Sequence, residues 1–262
     1  MKRGKTMESI LEINKNIYRL TVPFKDVYTT VYLVKTHEGV LLFDTASSDE
    51  DVENYILPFL DKLGITAEML KYVFISHKHK DHSGGLNKLM KKFSDTVIIS
   101  GSPKLREEYS DYNMLMPKYN DTVLDVLKII TVPGHTKDSS AVYDTRTKTL
   151  ITGDCLQLYG LYGLGKWGSN ISFPDEYIKA IEKLRKMDIE HILTAHDYHP
   201  YGYSYVGKEA VLKALDACIS PLNEIKALIY ENPYEDDEQI TKMYNSLGNP
   251  TIGKHVVCAL RK

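Results

Sequence analysis

Four side chains that can bind a divalent metal ion fall within six positions of the sequence: His77, His79, Asp81 and His82. Imidazole nitrogen and carboxylate oxygen are ligands of zinc and of other divalent transition metals. In an extended stretch, alternate side chains such as His77 and His79 point to the same side, whereas Asp81 and His82 follow after the chain has begun to turn. The two directions are suited to two metal ions.

The elements around this cluster can be predicted from its flanks. Residues 72–75 form an apolar, β-branched and aromatic run typical of a buried strand, and the run ends at Ser76. Gly84 and Gly85 are expected to permit a tight turn. Residues 86–93 then carry apolar side chains at helical spacing, so a short helix is predicted. The cluster should therefore lie between a strand end and a helix.

The motif His-x-His-x-Asp-His followed by Gly-Gly resembles the signature of the metallo-β-lactamase-fold hydrolases, in particular the glyoxalase II-like and lactonase-like branch. Three further motifs of that family recur in order, Pro-Gly-His-Thr at 133–136, Thr-Gly-Asp at 152–154 and Thr-Ala-His at 194–196. The resemblance extends over about residues 17–200. It implies an α/β (α+β) fold, the four-layer αββα sandwich. A helical C-terminal extension is predicted separately, from the sequence pattern from residue 203 onward.

The resemblance also implies a set of metal ligands. One ion is expected on His77, His79 and His135, and a second on Asp81, His82 and His196, with Asp154 bridging them. The expected cofactors are thus two divalent metal ions, with zinc first and manganese or iron as alternatives. In the family, an aspartate at the position of Asp44 orients a ligand histidine, although a turn or helix-capping role is equally compatible with the sequence.

The expected reaction is hydrolysis of a small-molecule ester, lactone or thioester through a metal-bridging hydroxide. Asp81 is the candidate to accept the proton, and Tyr198 and His199, with Tyr201, are candidates to donate a hydrogen bond to the oxyanion. The same three residues could instead be packing residues. Cys155 is interpreted as a small buried or pocket thiol rather than as a thiolate ligand.

Other functions of the same fold stay open. A mononuclear iron persulfide dioxygenase-like oxidoreductase and a phosphodiesterase are the alternatives. A di-iron oxygen or nitric oxide reductase is disfavoured, because those relatives have a carboxylate at the position of His79. An exported lactamase is disfavoured by Asp154, and the acidic run at 235–238 argues against the basic glutathione patch of a hydroxyacylglutathione hydrolase. A non-enzymatic metal-binding module is disfavoured because every expected ligand is present.

Composition limits the partners. The 262 residues are 43% hydrophobic and 26% charged, which is typical of a soluble globular protein, and the net charge of −2 favours neither nucleic acid nor an anionic membrane as a partner. No apolar run is long enough to span a membrane. Three widely spaced cysteines favour the reducing cytoplasm. A small-molecule substrate is the expected partner, and a homo-oligomer stays possible.

The remaining chain suggests one catalytic domain over 1–202 and a mostly helical extension over 203–262, packed on the same domain. A helix is predicted over 49–63, ended by Gly64, and two strands bent at Lys128 over 123–132.

Two irregular segments follow from composition. Residues 109–120 are predicted to be either a substrate-lining loop or a satellite core, and the glycine-rich, aromatic residues 155–173 to be a lid or pocket wall. His191 and His255 are interpreted as structural histidines.

Overall fold

The computed structural model describes residues 9–25, 27–159, 168–248 and 250–262. The chain divides into two compact units, Met1–Pro117 and Lys118–Lys262. Each unit contains one β-sheet with helices, so the architecture is mixed α/β. Within the described ranges, no helix combines the length and the apolar character needed to cross a membrane.

The first unit contains a seven-stranded sheet in which the strands follow one another in chain order. The strands are β1 (Ile10–Asn14), β2 (Ile17–Phe24), β3 (Val27–Lys35), β4 (Val40–Phe43), β5 (Leu70–Ile75), β6 (Val97–Ser100) and β7 (Met114–Leu115). Neighbours are antiparallel from β1 to β4 and parallel from β4 to β7. The carboxyl ends of β4 and β5 therefore lie side by side, which places Asp44 next to Ser76.

The helices of this unit connect the parallel strands. They are α1 (Asp49–Asp51), a π-helical turn (Val52–Ile56), α2 (Leu57–Lys62), α3 (Lys80–Ser83), α4 (Leu86–Lys92) and α5 (Pro103–Glu108). The helix predicted over 49–63 is thus confirmed, and Gly64 ends it with a φ of +65°. Its apolar face joins the sheet in one hydrophobic core. Tyr109 is buried in that core and Tyr112 packs against it, which favours the satellite-core interpretation for this part of 109–120.

The glycine pair after the metal-ligand motif has a different role from the one predicted. Gly84 and Gly85 have φ values of −66° and −88°, which any residue can adopt. A Cβ on Gly84 would lie 2.1 Å from the carbonyl oxygen of Ser47, and one on Gly85 would lie 2.2 Å from that of Thr45. The predicted turn is present between α3 and α4. Glycine is needed there for close backbone approach to the segment after β4 and not for its φ values.

The second unit contains a six-stranded sheet in the order β13-β12-β11-β10-β9-β8. The strands are β8 (Thr122–Val123), β9 (Leu127–Thr131), β10 (Ser140–Asp144), β11 (Thr149–Ile151), β12 (His191–Leu193) and β13 (Ser204–Val206). Only the β11 and β12 pair is parallel among these six. The bend predicted at Lys128 was wrong: the chain turns at Leu124 and Asp125, both with positive φ, and Lys128 lies within β9.

Four helices complete the second unit in the described ranges: α6 (Pro174–Leu184), α7 (Lys208–Glu231), α8 (Asp237–Ser246) and α9 (Lys254–Leu260). The mostly helical character predicted for the tail is confirmed, although the tail also contributes β13. Buried residues of α7, α8 and α9, such as Leu215, Tyr244 and Val256, belong to the same core as Ile130 and Leu150 of the sheet. The tail and residues 118–202 therefore form one compact unit.

Candidate metal centre

The first unit places its four candidate ligands where β5 ends. His77 follows the strand by two residues, and His79 immediately precedes α3, which contains Asp81 and His82. The rings of His77 and His79 lie 4.6 Å apart, and those of His77 and His82 lie 4.4 Å apart. The cluster that the sequence predicted is therefore compact in space.

Asp44 orients His82. Its Oδ2 lies 2.7 Å from Nδ1 of His82, and both side chains are fully buried. An Nδ1–H donated to this carboxylate leaves the Nε2 lone pair for a metal ion, which is the usual second-sphere arrangement of a ligand histidine. Burial raises the pKa of the Asp44 carboxyl, while His82 and two hydrogen bonds from Ser76 oppose that shift. Of the two roles left open for Asp44, the structure supports the orienting one.

Ser76 extends this arrangement to His77. Its hydroxyl donates to Oδ2 of Asp44 over 2.9 Å and lies 3.1 Å from Nδ1 of His77. Because a serine hydroxyl has a single hydrogen, Ser76 can only accept from His77, which assigns the proton of that ring to Nδ1. The same carboxylate thus sets the tautomer of two histidines.

In the second unit, two candidate ligands, Asp154 and His196, follow the parallel strands β11 and β12. Thr152–Asp154 follows β11, and Thr194–His196 follows β12, so both segments leave the same edge of the sheet. Gly153 has a φ of +54°, which glycine adopts without strain, and this residue turns the chain at Asp154. The Thr194 hydroxyl donates to the carbonyl oxygen of His196 over 2.7 Å, which fixes the second segment.

The two carboxylate oxygens of Asp154 face different histidines. Oδ1 lies 3.2 Å from Nε2 of His196, and Oδ2 lies 3.7 Å from Nε2 of His135. His135 is in turn oriented by its Nδ1, which donates to the carbonyl oxygen of Asn170 over 2.7 Å. Each carboxylate oxygen of Asp154 is thus the near neighbour of a different candidate ligand histidine.

The donors in both units fit divalent metal ions. In the first unit, two pairs of residues have ligand atoms within 4.8 Å of each other: His77 with His79, and Asp81 with His82. In the second unit, the ligand atoms of Asp154 and His196 lie within the same distance. Transition-metal sites typically have buried imidazole and carboxylate ligands, and a hydrogen bond from the non-ligating ring nitrogen fixes the orientation of each histidine. The donor set therefore implies divalent metal ions.

The chain is similar to known proteins in sequence and in fold. Residues 25–117 match the sequence family described as the metallo-beta-lactamase superfamily. This match covers 93 of the 262 residues. The fold agrees: a metallo-beta-lactamase from Pontibacter korlensis superposes with a TM-score of 0.62 at 19% identity, covering 80% of this chain and 97% of that protein. The metallo-β-lactamase fold expected from the motifs is thus confirmed.

Two curated relatives illustrate the sequence similarity. A beta-lactamase-like protein 2 homolog from Caenorhabditis elegans is 26% identical over 180 residues, which are 66% of this chain and 57% of that protein. A hydroxyacylglutathione hydrolase from Nostoc punctiforme is 28% identical over 143 residues, which are 54% of this chain and 56% of that protein. The chain thus spans little more than half the length of these two relatives.

The three candidates for oxyanion stabilisation that follow His196, namely Tyr198, His199 and Tyr201, differ in their exposure. Tyr198 is fully buried, and its hydroxyl donates to the carbonyl oxygen of Leu156 over 2.9 Å. Its single hydrogen is thereby engaged, which favours the packing role. His199 is exposed, and the Tyr201 side chain is 55% exposed.

Cys155 is buried among apolar residues of the second core, as expected for a small buried thiol. The predicted lid over 155–173 lies partly outside the described residues, which omit 160–167. Leu156, Leu158 and Ile171 on either side of that gap are buried in the core.

A cavity of about 460 Å³ lies in the second unit. Its wall is mostly apolar and tyrosine-rich: Leu158, Tyr159, Tyr201, Tyr205, Ala210, Lys213, Ala214, Asp216, Ala217 and Ser220. Tyr159 follows Asp154 by five residues and Tyr201 follows His196 by five. The loops that carry two candidate ligands therefore continue into the wall of the cavity.

Three supporting residues were not identified in the sequence: Ser76, Gln157 and Asn170. Ser76 separates an apolar strand from a ligand, and Gln157 is a polar residue between Leu156 and Leu158. The available signal was a polar side chain at the end of an apolar run for Ser76 and inside one for Gln157. Asn170 acts through its main-chain carbonyl, which every residue type has, so sequence contained no signal for that contact.

Proposed function

We propose that this chain is a dinuclear metal-dependent hydrolase of small-molecule esters, lactones or thioesters. The observation that carries the proposal is Asp154, whose two carboxylate oxygens face His135 and His196 separately. The superfamily match and the relatives named hydroxyacylglutathione hydrolase support a hydrolase.

The proposed ligand set is the one that the family motifs imply. His77, His79 and His135 would hold one ion, Asp81, His82 and His196 the other, and Asp154 would be shared. Two bound divalent ions supply Lewis acidity and lower the pKa of water toward neutrality. Zinc is the proposed metal, since imidazole and carboxylate donors suit it, with manganese or iron as alternatives.

The chain's own residues prepare the site for that chemistry. Asp44 and Ser76 hold the rings of His82 and His77 through Nδ1, so that Nε2 of each ring is directed to a metal ion. The main-chain carbonyl of Asn170 does the same for His135. Asp81, whose Oδ2 lies 3.4 Å from Nε2 of His82, is the proposed acceptor of the proton released during hydrolysis. This arrangement leaves the histidines fixed before substrate arrives, so little reorganisation is needed.

The cavity of the second unit supports a small, partly apolar substrate. Its volume of about 460 Å³ falls in the range of small-molecule sites, roughly 300–1,000 Å³. Tyrosine and alanine side chains provide an apolar wall, while Lys213, Asp216 and Ser220 provide polar groups. We propose that this cavity accommodates the acyl or leaving group of the substrate.

The test is a substrate panel on protein loaded with zinc, manganese or iron in turn. The panel contains S-acyl thiols, lactones, aryl esters, a bis-aryl phosphodiester and a low-molecular-weight persulfide, with His79→Ala as the inactive control. Turnover of a carboxylic ester or thioester by the wild type, absent from His79→Ala, is expected. Equal turnover in the variant, or turnover of the phosphodiester alone, would overturn the proposal, as would activity only with iron and a persulfide.

We also propose that the protein works in the cytoplasm. All three cysteines are free thiols, and burial raises the pKa of the Cys218 thiol to about 12. Free thiols are typical of a reducing compartment. Fractionation of the native host cells, with detection by antibody, would test this; recovery in the extracellular fraction would contradict it.

A further inference from the structure

Gln157 is a buried polar residue whose side-chain amide is engaged at both ends. Nε2 donates to the main-chain carbonyl of Asp154 over 3.0 Å, and Oε1 accepts from the main-chain N–H of Asn170 over 3.0 Å. The side chain is only 1% exposed although it lies between Leu156 and Leu158. Burying an amide is unfavourable unless both ends are hydrogen-bonded, so these contacts account for its position.

The orientation of this amide follows from its partners. The carbonyl of Asp154 can only accept and the N–H of Asn170 can only donate, so the nitrogen must face the former and the oxygen the latter. The main-chain N–H of Gln157 in turn donates to the Tyr177 hydroxyl over 2.7 Å, and Tyr177 is fully buried. Gln157 is thus fixed from its main chain as well as from its side chain.

Asn170 connects Gln157 to a second candidate ligand. Its N–H is held by Gln157, and its carbonyl oxygen accepts from Nδ1 of His135. One side chain therefore holds the main chain at Asp154 and the peptide that orients His135, although these two residues are 19 positions apart in the sequence. We propose that Gln157 is a positioning residue that sets the relative geometry of Asp154 and His135 for metal binding.

The C-terminal segment supports the same peptide from the other side. The N–H of Gly168 donates to the carbonyl of Thr251 over 2.9 Å, and Nε2 of His255 lies 2.8 Å from Oδ1 of Asn170. A Cβ on Gly168 would lie 2.7 Å from that same carbonyl, so glycine is required for the approach. The helical extension therefore contributes to positioning His135, which gives the tail a role at the metal centre.

The two supports differ in expected strength. Gln157 is buried, whereas His255 is exposed to solvent, where water can replace a lost hydrogen bond. Loss of a partner that orients a metal ligand typically lowers metal affinity about 10- to 100-fold. We expect loss in that range for Gln157 variants and less than about 5-fold for His255→Ala.

The experiment measures zinc affinity of the full chain by competition with a chromophoric chelator, and the thermal midpoint of the metal-free protein. Gln157→Glu keeps the size and the acceptor for Asn170 but loses the donor to Asp154, and Gln157→Met removes both contacts. Tyr143→Phe is the control, because it removes a hydrogen bond to the carbonyl of Asp188 in the same core, away from the ligand loops.

The expected result is weakened zinc binding in both Gln157 variants, a smaller loss in His255→Ala and no change beyond 2-fold in Tyr143→Phe. Wild-type affinity in a folded Gln157→Glu variant, or equal losses in Tyr143→Phe, would overturn the inference. If neither Gln157 variant folds, His255→Ala becomes the test. Unchanged zinc affinity in that variant, together with an unchanged His135 tautomer measured by NMR, would overturn the inference that the segment around Asn170 positions His135. The inference rests on the proposed metal centre, and a wild-type protein that binds no metal would instead overturn that centre.

Discussion

Each unit contains candidate metal ligands, and the two units orient them with different groups. In the first unit the candidate ligands follow β5, and their supporting carboxylate follows the neighbouring parallel strand β4. In the second unit, candidate ligands follow both parallel strands, β11 and β12. The first unit orients its histidines through a buried carboxylate, Asp44, and a hydroxyl, Ser76. The second uses a main-chain carbonyl, that of Asn170, and a buried amide, Gln157.

This difference indicates how strongly a substitution should disturb the orientation of the candidate ligand histidines in each unit. A carboxylate that fixes two histidine tautomers is a single group whose loss affects both rings. A main-chain carbonyl cannot be removed by substitution, so the second unit can be perturbed only indirectly, through the residues that hold the peptide. Changes to supporting residues should therefore have larger effects in the first unit.

The largest expected effect tests the shared ligand. Asp154→Ala should reduce hydrolysis to background. The substitution removes the carboxylate that contacts both His135 and His196 and that is proposed to be shared by the two metal ions. The fold should persist, because the apolar core of this unit does not include Asp154. Circular dichroism and turnover measured on the same preparation check both statements, and residual turnover above a few per cent would break the account.

Asp44→Ala should have the next largest effect. It removes the acceptor of His82 and of Ser76 together, so metal affinity should fall about 100-fold, at the upper end for such partners. Ser76→Ala, the matched control, keeps the carboxylate and should cost about 10-fold or less. Chelator competition on both variants measures this ranking. An effect of Asp44→Ala no larger than that of Gln157→Met would contradict the comparison of the units.

The cavity of the second unit should affect substrate binding more than metal binding. Ala210→Phe adds bulk to the cavity wall, so KM should rise about 10-fold for the bulkiest acyl substrate and little for acetyl esters. Leu212 is in the same helix as Ala210 but does not line this cavity, so Leu212→Phe serves as the control. Equal KM changes across acyl groups would show that the cavity does not hold the substrate.

The smallest expected effect concerns Tyr198. If its hydroxyl only stabilises the loop through Leu156, Tyr198→Phe should change kcat less than about 3-fold while lowering stability by ~1–3 kcal/mol. Urea unfolding and steady-state kinetics separate these effects. A 100-fold loss of kcat at unchanged metal content would restore the oxyanion role that the sequence suggested.

The parts of the fold that could be predicted from sequence are those with local signals. The strand before His77, the helix after Gly85 and the mostly helical tail each have a clear apolar period. The turn at Leu124 and Asp125 was missed, because leucine rarely adopts the left-handed conformation and a single aspartate is a weak signal for it. The turn at Gly84 and Gly85 was predicted, but the reason for the glycines was missed, because it depends on carbonyl groups far away in the sequence.

The site shows the same division. Each candidate ligand occurs in a short motif, so all seven could be named from the sequence. The orienting contacts connect residues far apart in the chain, as between Asp44 and His82 or between Asn170 and His135. Such contacts depend on strand pairing, and Asp44 alone was foreseen, through the family resemblance.

Metal content per chain is the most direct test of the central claim. Protein purified without chelator or affinity nickel would be analysed by elemental mass spectrometry, with His79→Ala and Asp154→Ala beside it. The account predicts about two equivalents of a divalent metal in the wild type and fewer in both variants. A single equivalent of iron, or two equivalents retained when Asp154 is replaced, would contradict a dinuclear centre with Asp154 as the shared ligand.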